Sequence, residues 1–304
     1  MLNSKNIKEK IICIYGPTAS SKSKFAIVLA QKIGGVIINA DSMQVYKDIP
    51  ILTSQPHDQE KNMVEHKLYS IISLISNFSV GEWIKLAVDQ VSKARKRGLY
   101  PILVGGTGLY FSNLIKGIAQ IPAIKKTTKD KVKNLIRNHN DNIHSLLEKY
   151  DAKLAKKLPS KDKARILRGL EVVIQTGKSI LEWQKNNTVF FDRKNFFNIY
   201  FCPPRTTVYE NINQRFLKML DQGVANEVKD ILTRYNNQRL PKVIGLNIIR
   251  EYILGKKDWN AMVSDVQKFT RNYAKRQYTW FNNQLPHDLI LTSNNQHCRT
   301  LLHL

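Results

Sequence analysis

The fold is decided by the stretch Ile11-Ile-Cys-Ile-Tyr-Gly-Pro-Thr-Ala-Ser-Ser-Lys-Ser23. Its first five residues are apolar and include three isoleucines, which predicts a buried strand. After a short loop, residues 25–33 predict a helix that ends at Gly34. A strand, a glycine-containing loop, a Lys-Ser pair and a helix, in this order, are typical of a phosphate-binding P-loop. An ordinary strand-to-helix turn with a chance Lys-Ser pair is the alternative.

The loop departs from the strict pattern G-x-x-x-x-G-K-[ST] at one position, because Ser21 stands where the second glycine is expected. A left-handed backbone at Ser21 would cost about 1–2 kcal/mol. Loop amides and the helix N-terminus favour a bound anion, Lys22 adds a full charge, and the hydroxyl of Ser23 is placed to reach Mg²⁺. The predicted phosphate-binding residues are Gly16, Pro17, Thr18, Ala19, Ser20, Ser21, Lys22 and Ser23.

Composition points to a polyanionic partner. The 304 residues include 48 Lys and Arg against 24 Asp and Glu, a net charge of +24, so nucleic acid is the first candidate and a merely solvated basic surface the alternative. Cys13, Cys202 and Cys298 are too few and too scattered for a disulfide framework or a cysteine zinc site. Residues 1–10 lack the apolar run of a signal peptide, and no window predicts a membrane span. We expect a cytoplasmic monomer.

Two further strands end in polar residues. Residues 35–39 predict a strand that leads to Asp41, and the carboxyl ends of strands in open α/β sheets are where ligands bind. A turn or helix-cap role is the alternative for Asp41. The strand from Tyr100 ends in Gly105-Gly106-Thr107, without the acidic residue that holds Mg²⁺ in nucleotide-hydrolysing P-loop proteins. This favours chemistry other than nucleotide hydrolysis, with Thr107 aimed at the site or capping the next helix.

The remaining pattern predicts a split α/β core. Residues 122–198 hold 18 Lys and Arg against 8 Asp and Glu and look mainly helical. We predict a P-loop-type parallel-sheet core over residues 1–121 and 198–304 with an inserted basic helical domain over 122–197. Further expectations are a polar loop over 46–67, helices over 79–96, 209–234 and 261–281, a basic face with Lys268, Arg271 and Lys275, and an inward face with Phe269, Tyr273 and Trp280.

Four motifs, read in order, resemble those of the tRNA dimethylallyltransferase family. They are Gly16-Pro-Thr-Ala-Ser followed by Lys22-Ser23, Asn39-Ala-Asp-Ser-Met-Gln-Val-Tyr-Lys47, Val104-Gly-Gly-Thr-Gly-Leu-Tyr-Phe111 and Tyr273-Ala-Lys-Arg-Gln-Tyr-Thr-Trp-Phe281. The resemblance covers nearly the whole chain. It implies transfer of a dimethylallyl group from dimethylallyl diphosphate to N6 of adenosine 37 in tRNAs that read codons beginning with U, with Mg²⁺ assisting.

The resemblance also implies roles for single residues. Asp41 corresponds to the family's general base, Thr107 to a residue that positions the diphosphate or the base, and Arg215 to an arginine that reaches the diphosphate. Lys22 and Ser23 would stabilise charge on the leaving group. Residues implied to face tRNA are Asp41, Ser42, Met43, Gln44, Thr107, Lys129, Ala164, Arg165, Ile166, Leu167, Arg168, Lys242, Val243, Ile244, Gly245, Leu246 and Asn247.

Departures from the family pattern keep other functions open. Besides Ser21, Gln55 replaces a common basic residue, and residues 123–129 lack an acidic residue often found there. A P-loop small-molecule kinase would leave the +24 charge unexplained. An enzyme that prenylates free adenine nucleotides would not need the basic insertion. A non-catalytic tRNA-binding protein with a degenerate P-loop is supported by Ser21 alone.

Overall fold

The structure is a computed structural model that describes residues 10–139, 142–236 and 238–292. Residues 1–9 and Cys298, on which the signal-peptide and cysteine arguments partly rest, lie outside the described residues. The chain forms two compact units. Unit 1 combines residues 1–115 and 191–304, and unit 2 spans residues 116–190. The predicted insertion of residues 122–197 overlaps unit 2 but begins and ends a few residues later.

Unit 1 contains a six-stranded sheet and most of the longer helices. Its described elements are β1 (Ile11–Tyr15), α1 (Lys22–Ile33), β2 (Gly35–Asn39), α2 (Asp58–Met63), β3 (His66–Lys67), α3 (Val80–Lys96), β4 (Tyr100–Gly105) and α4 (Gly108–Lys116), which ends at the border of unit 2. Unit 2 follows with β5 (Ile118–Ala119), α5 (Lys126–Arg137), α6 (Ile143–Tyr150), α7 (Ala152–Ala155), α8 (Lys163–Thr176), α9 (Ile180–Trp183) and β6 (Asn187–Thr188). Unit 1 resumes with a 3₁₀ turn (Arg193–Asn195), β7 (Phe196–Phe201), α10 (Arg205–Asp221), α11 (Val224–Arg234), α12 (Leu246–Ile253), α13 (Trp259–Gln284) and β8 (Leu289–Leu291).

Every strand pair in the sheet of unit 1 is parallel, in the order β3-β2-β4-β1-β7-β8. The central strands are continuous apolar runs because helices cover both faces of a parallel sheet. In the register, Tyr15 lies beside Gly105 and Asn39 beside Val104. The carboxyl ends of β1, β2 and β4 are therefore level, and the loops that follow them meet at one edge.

Two apolar clusters support this edge. One packs α1 against the sheet, through residues such as Phe25, Leu29 and Ile37. The other joins the segment after β2 to α10, α11, α12 and α13, with Leu52, Phe216 and Val266 among its buried members. Gly34 ends α1 with a left-handed backbone (φ 73°), as the sequence predicts.

Unit 2 is a small helical body with its own core. Val132, Leu146, Leu154, Ile166 and Leu170 are among the buried side chains that α5 to α8 contribute. Helices α7 and α8 pack closely, since a Cβ added at Gly169 would lie 2.4 Å from Cδ2 of Leu154. Strands β5 and β6 pair antiparallel. Across the described residues of both units, no helix combines the length and apolar character needed to span a bilayer.

Two predictions are wrong, and one is right only in part. The predicted polar loop of residues 46–67 contains α2 and β3, which are too short to show a period. Residues 209–234 are helical as predicted, but they form two helices, because Gly223 adopts φ 89° between α10 and α11. Phe269 is 53% exposed, since it lies about 100° around α13 from the centre of the buried face.

Candidate active site

The loop between β1 and α1 has the backbone that the Ser21 argument anticipates. Ser21 is left-handed (φ 67°, ψ 11°), and so is Ala19 (φ 60°). Gly16 packs so tightly on β7 that an added Cβ would lie 2.4 Å from the carbonyl oxygen of Phe201. The loop thus carries side chains at two left-handed positions, Ala19 and Ser21, and the second is where the strict P-loop pattern has glycine.

Two side chains of this loop are buried in a way that suits an anion. Lys22 is buried and donates from Nζ to the carbonyl oxygen of Pro17 at 3.0 Å. Burial lowers the pKa of Lys22 to about 8, an effect that Asp41 opposes and Arg215 reinforces. Ser20 is 3% exposed, and its Oγ has no hydrogen-bond partner among the described residues. A buried donor without a partner is costly, so this hydroxyl is available to a ligand oxygen.

Asp41 lies at the carboxyl end of β2 and is fixed by its neighbours. Its backbone N–H donates to Oδ1 of Asn39 at 2.8 Å, and Nδ2 of the fully buried Asn39 donates to the carbonyl oxygen of Asp41 at 3.0 Å. Its own Oδ1 accepts the N–H of Met43 at 3.0 Å, so the turn role is real. Oδ2 is left for other partners, and a carboxylate held this way is suited to accept a proton.

Thr107 connects the turn after β4 to the segment after β2. Its Oγ1 accepts the N–H of Ser42 at 2.9 Å and donates to Oγ of Ser42 at 3.1 Å. Its backbone N–H donates to the carbonyl oxygen of Ala40 at 3.2 Å, and its carbonyl oxygen accepts the N–H of Tyr110 in the first turn of α4. Thr107 therefore both caps the next helix and holds the strand end that carries Asp41.

Gln277 is a site residue that the sequence reasoning missed. Its Oε1 accepts the N–H of Thr18 at 2.8 Å, and its Nε2 donates to the carbonyl oxygen of Gly106 at 2.9 Å. A Cβ at Gly106 would lie 2.4 Å from Nε2 of Gln277 and 3.3 Å from Oδ2 of Asp41. The glutamine thus joins the phosphate loop to the β4 turn, a role that only its position in the Tyr273–Phe281 motif could have suggested.

Arg215 reaches the phosphate loop from α10. Its Nη2 donates to Oγ1 of Thr18 at 2.8 Å. Although part of its surface faces a cavity, protein surrounds the guanidinium, and burial lowers its pKa to about 10 while Asp41 raises it. The side chain therefore remains charged at neutral pH and adds a second cation to the one on Lys22.

A cavity of about 300 Å³ opens beside these groups. Asp41 is the one acid among the described residues that line it, and Arg215, Lys242 and Arg276 are the cations. The other lining residues are largely apolar or hydroxylated: Thr18, Ser42, Met43, Leu52, Thr53, Ser54, Ile212, Phe216, Met219, Val243, Ile244, Val266, Thr270 and Tyr273. Such a cavity accepts a small apolar group next to anionic oxygens and one polar reacting atom.

The remaining residues that were predicted to face tRNA differ in whether their side chains are exposed. Gln44 turns to its own loop and donates from Nε2 to the carbonyl oxygens of Thr53 and Ser54. Side chains of Ile166 and Leu246 are buried in hydrophobic clusters and present no surface to RNA. The segment of residues 164–168 lies on α8 in unit 2, and there Lys129 and Arg165 are exposed. Gly245 has φ 91° before α12, and Asn247 is exposed on it.

The described residues contain no cluster of three or more His, Cys, Asp or Glu suited to a metal ion. Ser23 is exposed in the first turn of α1. This arrangement fits a metal held chiefly by phosphate oxygens and water, with one protein hydroxyl, as in other P-loop sites.

The fold and the site define an α/β protein with a P-loop-type phosphate site that opens on an apolar cavity. The family model for "IPP transferase" matches residues 44–284. A tRNA dimethylallyltransferase of Ehrlichia chaffeensis is 37% identical over 289 residues (94% of this chain, 95% of the relative), and one of Wolbachia pipientis wMel is 39% identical over 295 residues (95% and 98%). A solved eukaryotic dimethylallyltransferase described as acting on tRNA is similar in fold, with a TM-score of 0.80 and 25% identity over 94% of this chain and 75% of that one. The chain belongs to the IPP transferase family and is a transferase.

Proposed function

We propose that this enzyme moves the dimethylallyl group of dimethylallyl diphosphate to N6 of adenosine 37 in tRNAs that read codons beginning with U. The observation that carries the proposal is the cavity, in which one carboxylate and an apolar wall lie next to the phosphate loop and Arg215. The proposal includes a monomeric enzyme acting in the cytoplasm, where its tRNA substrate is.

The diphosphate of the donor would bind at the loop of residues 16–23. The loop amides, the unpartnered Oγ of Ser20 and the ammonium of Lys22 supply donors and charge, and Arg215 adds a planar pair of N–H groups from the opposite side. These groups gain most when negative charge grows on the leaving diphosphate, so they favour the transition state over the bound donor.

Asp41 would act as the general base. N6 of the adenosine attacks C1 of the dimethylallyl group, the bond from C1 to the diphosphate oxygen breaks with its electron pair, and the proton of N6 passes to the carboxylate of Asp41. An exocyclic amine of this kind is weakly nucleophilic, so a fixed carboxylate promotes the attack. Thr107 would hold the strand end that positions Asp41 through its bonds to Ser42.

Mg²⁺ would be held by the hydroxyl of Ser23 and by diphosphate oxygens. When bound, it would neutralise negative charge on the diphosphate. For tRNA, the proposal assigns contacts to the exposed basic residues of unit 2, including Lys129 and Arg165, and to the segment of residues 242–247 beside the cavity. A target base in an anticodon loop must leave its stack to reach an enclosed carboxylate.

A transfer assay tests the proposal. Purified protein is mixed with Mg²⁺, labelled dimethylallyl diphosphate and an unmodified anticodon stem-loop, alongside the near-isosteric variant Asp41→Asn. We expect label in the wild-type RNA and a loss of at least about a hundredfold in the variant, in line with the usual contribution of a general base. Asp288 is a matched control, because Asp288→Asn removes a carboxylate that bonds Asn198, away from the cavity.

Other outcomes separate the alternatives. Label on AMP without RNA would indicate an enzyme for free nucleotides, and ATP turnover without prenyl donor would indicate a kinase. Tight RNA binding without transfer would indicate a non-catalytic binder.

A further inference from the structure

One wall of the cavity is a segment that belongs to no helix or strand. We name residues 46–56 the wall loop, and its residues Leu52, Thr53 and Ser54 line the cavity. Ser54 has φ 52°, so the loop holds a conformation that a serine does not adopt by preference. Something other than intrinsic preference must therefore keep this wall in place.

Glu227 supplies two strong bonds to the wall loop. Its Oε1 accepts the N–H of Ile51 at 2.8 Å, and its Oε2 accepts the N–H of Leu52 at 2.9 Å. Both oxygens of one carboxylate thus bind two consecutive amides, and the second belongs to Leu52, the first of the three wall-loop residues that line the cavity. Hydrogen bonds to an ionised acceptor are shorter and stronger than neutral ones, and a two-point attachment fixes orientation as well as distance.

The helix that carries Glu227 also binds the other side of the wall loop. Glu227 lies in the first turn of α11, and Arg234 in the last turn donates from Nη1 to Oδ1 of Asp48 at 3.0 Å. Oδ2 of Asp48 accepts the N–H of Leu74 at 2.8 Å. Helix α11 therefore binds the wall loop at two places, near its start at Asp48 and at its centre at residues 51–52.

We propose that Glu227 is a positioning residue for the transfer reaction, because its carboxylate sets the place of residues 51–54 against the substrate. The inference rests on the proposed function of the site. Glu227 does not line the cavity and acts only through the backbone of the wall loop.

Packing alone does not account for a carboxylate at this position. Leu52, Val228 and Ile231 already bury the contact between the wall loop and α11 in a hydrophobic cluster. Burial raises the pKa of Glu227, which the bonds from Ile51 and Leu52 partly oppose, so placing a charge here costs stability. The cost of the buried carboxylate is offset by its bonds to the Ile51 and Leu52 amides, which an apolar side chain would leave without an acceptor.

The test compares Glu227→Gln with Asp230→Asn, an exposed acid on the same helix. Glutamine keeps the shape of Glu227 but presents an N–H₂ to one of the two amides. We expect kcat for transfer to fall about tenfold to a hundredfold, as for small misplacements of reacting groups. Exchange of the Ile51 and Leu52 amides, followed by NMR, should become faster. The Kd for inorganic diphosphate should stay at the wild-type value, and the melting temperature should fall by no more than a few degrees, because only one of the two bonds is lost. Asp230→Asn should match wild type throughout.

Glu227→Asp is the second variant. It keeps both oxygens with a shorter reach and should transfer at a rate between those of wild type and Glu227→Gln. A wild-type kcat in Glu227→Gln would overturn the inference. So would losses of diphosphate affinity and melting temperature in parallel with kcat, which indicate a structural role only. A wild-type protein that transfers nothing refutes the proposed function itself, and amide exchange then still shows whether Glu227 holds the wall loop.

Discussion

At the scale of single residues, the phosphate loop combines a predictable pattern with one unpredictable cost. Gly16, Lys22 and Asp41 are predicted from motif spacing, since each follows a strong apolar run at a fixed distance. The sequence makes strain at Ser21 conditional on its backbone conformation, and the structure shows that conformation to be left-handed, with φ 67°. The backbone conformation at one residue depends on the whole loop. The motif therefore shows that a serine at position 21 is unusual, but it does not give the φ angle.

Relief of this strain gives a stability prediction. Ser21→Gly removes a cost of about 1–2 kcal/mol and adds about 0.5–1 kcal/mol of backbone entropy, so the free energy of unfolding should rise by about 0.5–1 kcal/mol. Inorganic diphosphate should bind severalfold more tightly because glycine removes a side chain that crowds the bound phosphate. Urea unfolding and calorimetry measure both quantities. Ser54→Gly relieves a similar φ of 52° in the wall loop, outside the phosphate loop, and should leave diphosphate affinity unchanged. Equal affinities in wild type and Ser21→Gly would refute the prediction.

Lys22 should make diphosphate binding sensitive to pH in the alkaline range. Burial lowers its pKa to about 8, so the free protein loses this charge as the pH rises through 8, and the affinity should fall. The unfolded chain still binds the proton up to pH 10.5, the ordinary value. Between pH 8 and pH 10.5 the unfolded state binds more protons than the folded state. The free energy of unfolding should therefore rise with pH while the affinity for diphosphate declines.

Calorimetry and urea unfolding across pH 7–10 check this opposition. Lys22→Met should bind diphosphate weakly and should lack this titration. The difference between its pH profile and that of wild type therefore measures the contribution of Lys22. Lys24→Met, two residues along α1 and exposed, should behave as wild type. Stability that falls together with affinity would contradict the assignment.

At the scale of elements, the sequence predicts strands that have a long apolar run. It does not predict very short strands or contacts between segments far apart in the chain. Strands β1, β2 and β4 are continuous apolar runs and were found at their observed positions. Strands β3 and β8 have two and three residues and give no signal. Strand β7 pairs with β1, although the two segments lie about 180 residues apart in the sequence. Neither segment carries a local pattern that predicts this pairing. Gln277 was missed for the same reason, because its partners lie on the two distant turns.

Gln277 offers a test of how α13 holds those turns together. Gln277→Leu keeps the volume but leaves the N–H of Thr18 and the carbonyl oxygen of Gly106 without their partner. Buried unpaired groups cost about 1–3 kcal/mol each, so the free energy of unfolding should fall by about 2–4 kcal/mol in urea unfolding. Gln267→Leu on the same helix loses one bond of 3.3 Å and should cost under about 1.5 kcal/mol. Equal losses of stability in the two variants would show that the two bonds of Gln277 contribute no more than one ordinary hydrogen bond.

At the scale of the whole molecule, the main feature is positive charge, and unit 2 holds a large share of it. Unit 2 carries 17 Lys and Arg against 7 Asp and Glu, so about a quarter of the chain holds 10 of the 24 net positive charges. Charge of this density attracts nucleic acid without sequence preference and releases counterions on binding. The surface that contacts RNA is therefore identified by comparing variants with the same net charge.

Matched charge reversals locate that surface. The triple variant Lys161→Glu, Lys163→Glu, Arg165→Glu changes exposed residues of unit 2, and Lys85→Glu, Lys96→Glu, Arg97→Glu makes the same change of net charge on and beside α3. Each set includes one arginine that is already paired with an acid, Arg165 with Asp162 and Arg97 with Glu65. If unit 2 binds the anticodon stem, the first variant should lose about tenfold or more of its tRNA affinity, and its slope of log K against log salt should become shallower by about two. The second should keep the wild-type slope, because the slope reports the phosphates that the protein contacts, and the proposal assigns those contacts to unit 2. Equal effects from the two variants would mean that net charge, rather than a surface on unit 2, accounts for tRNA binding.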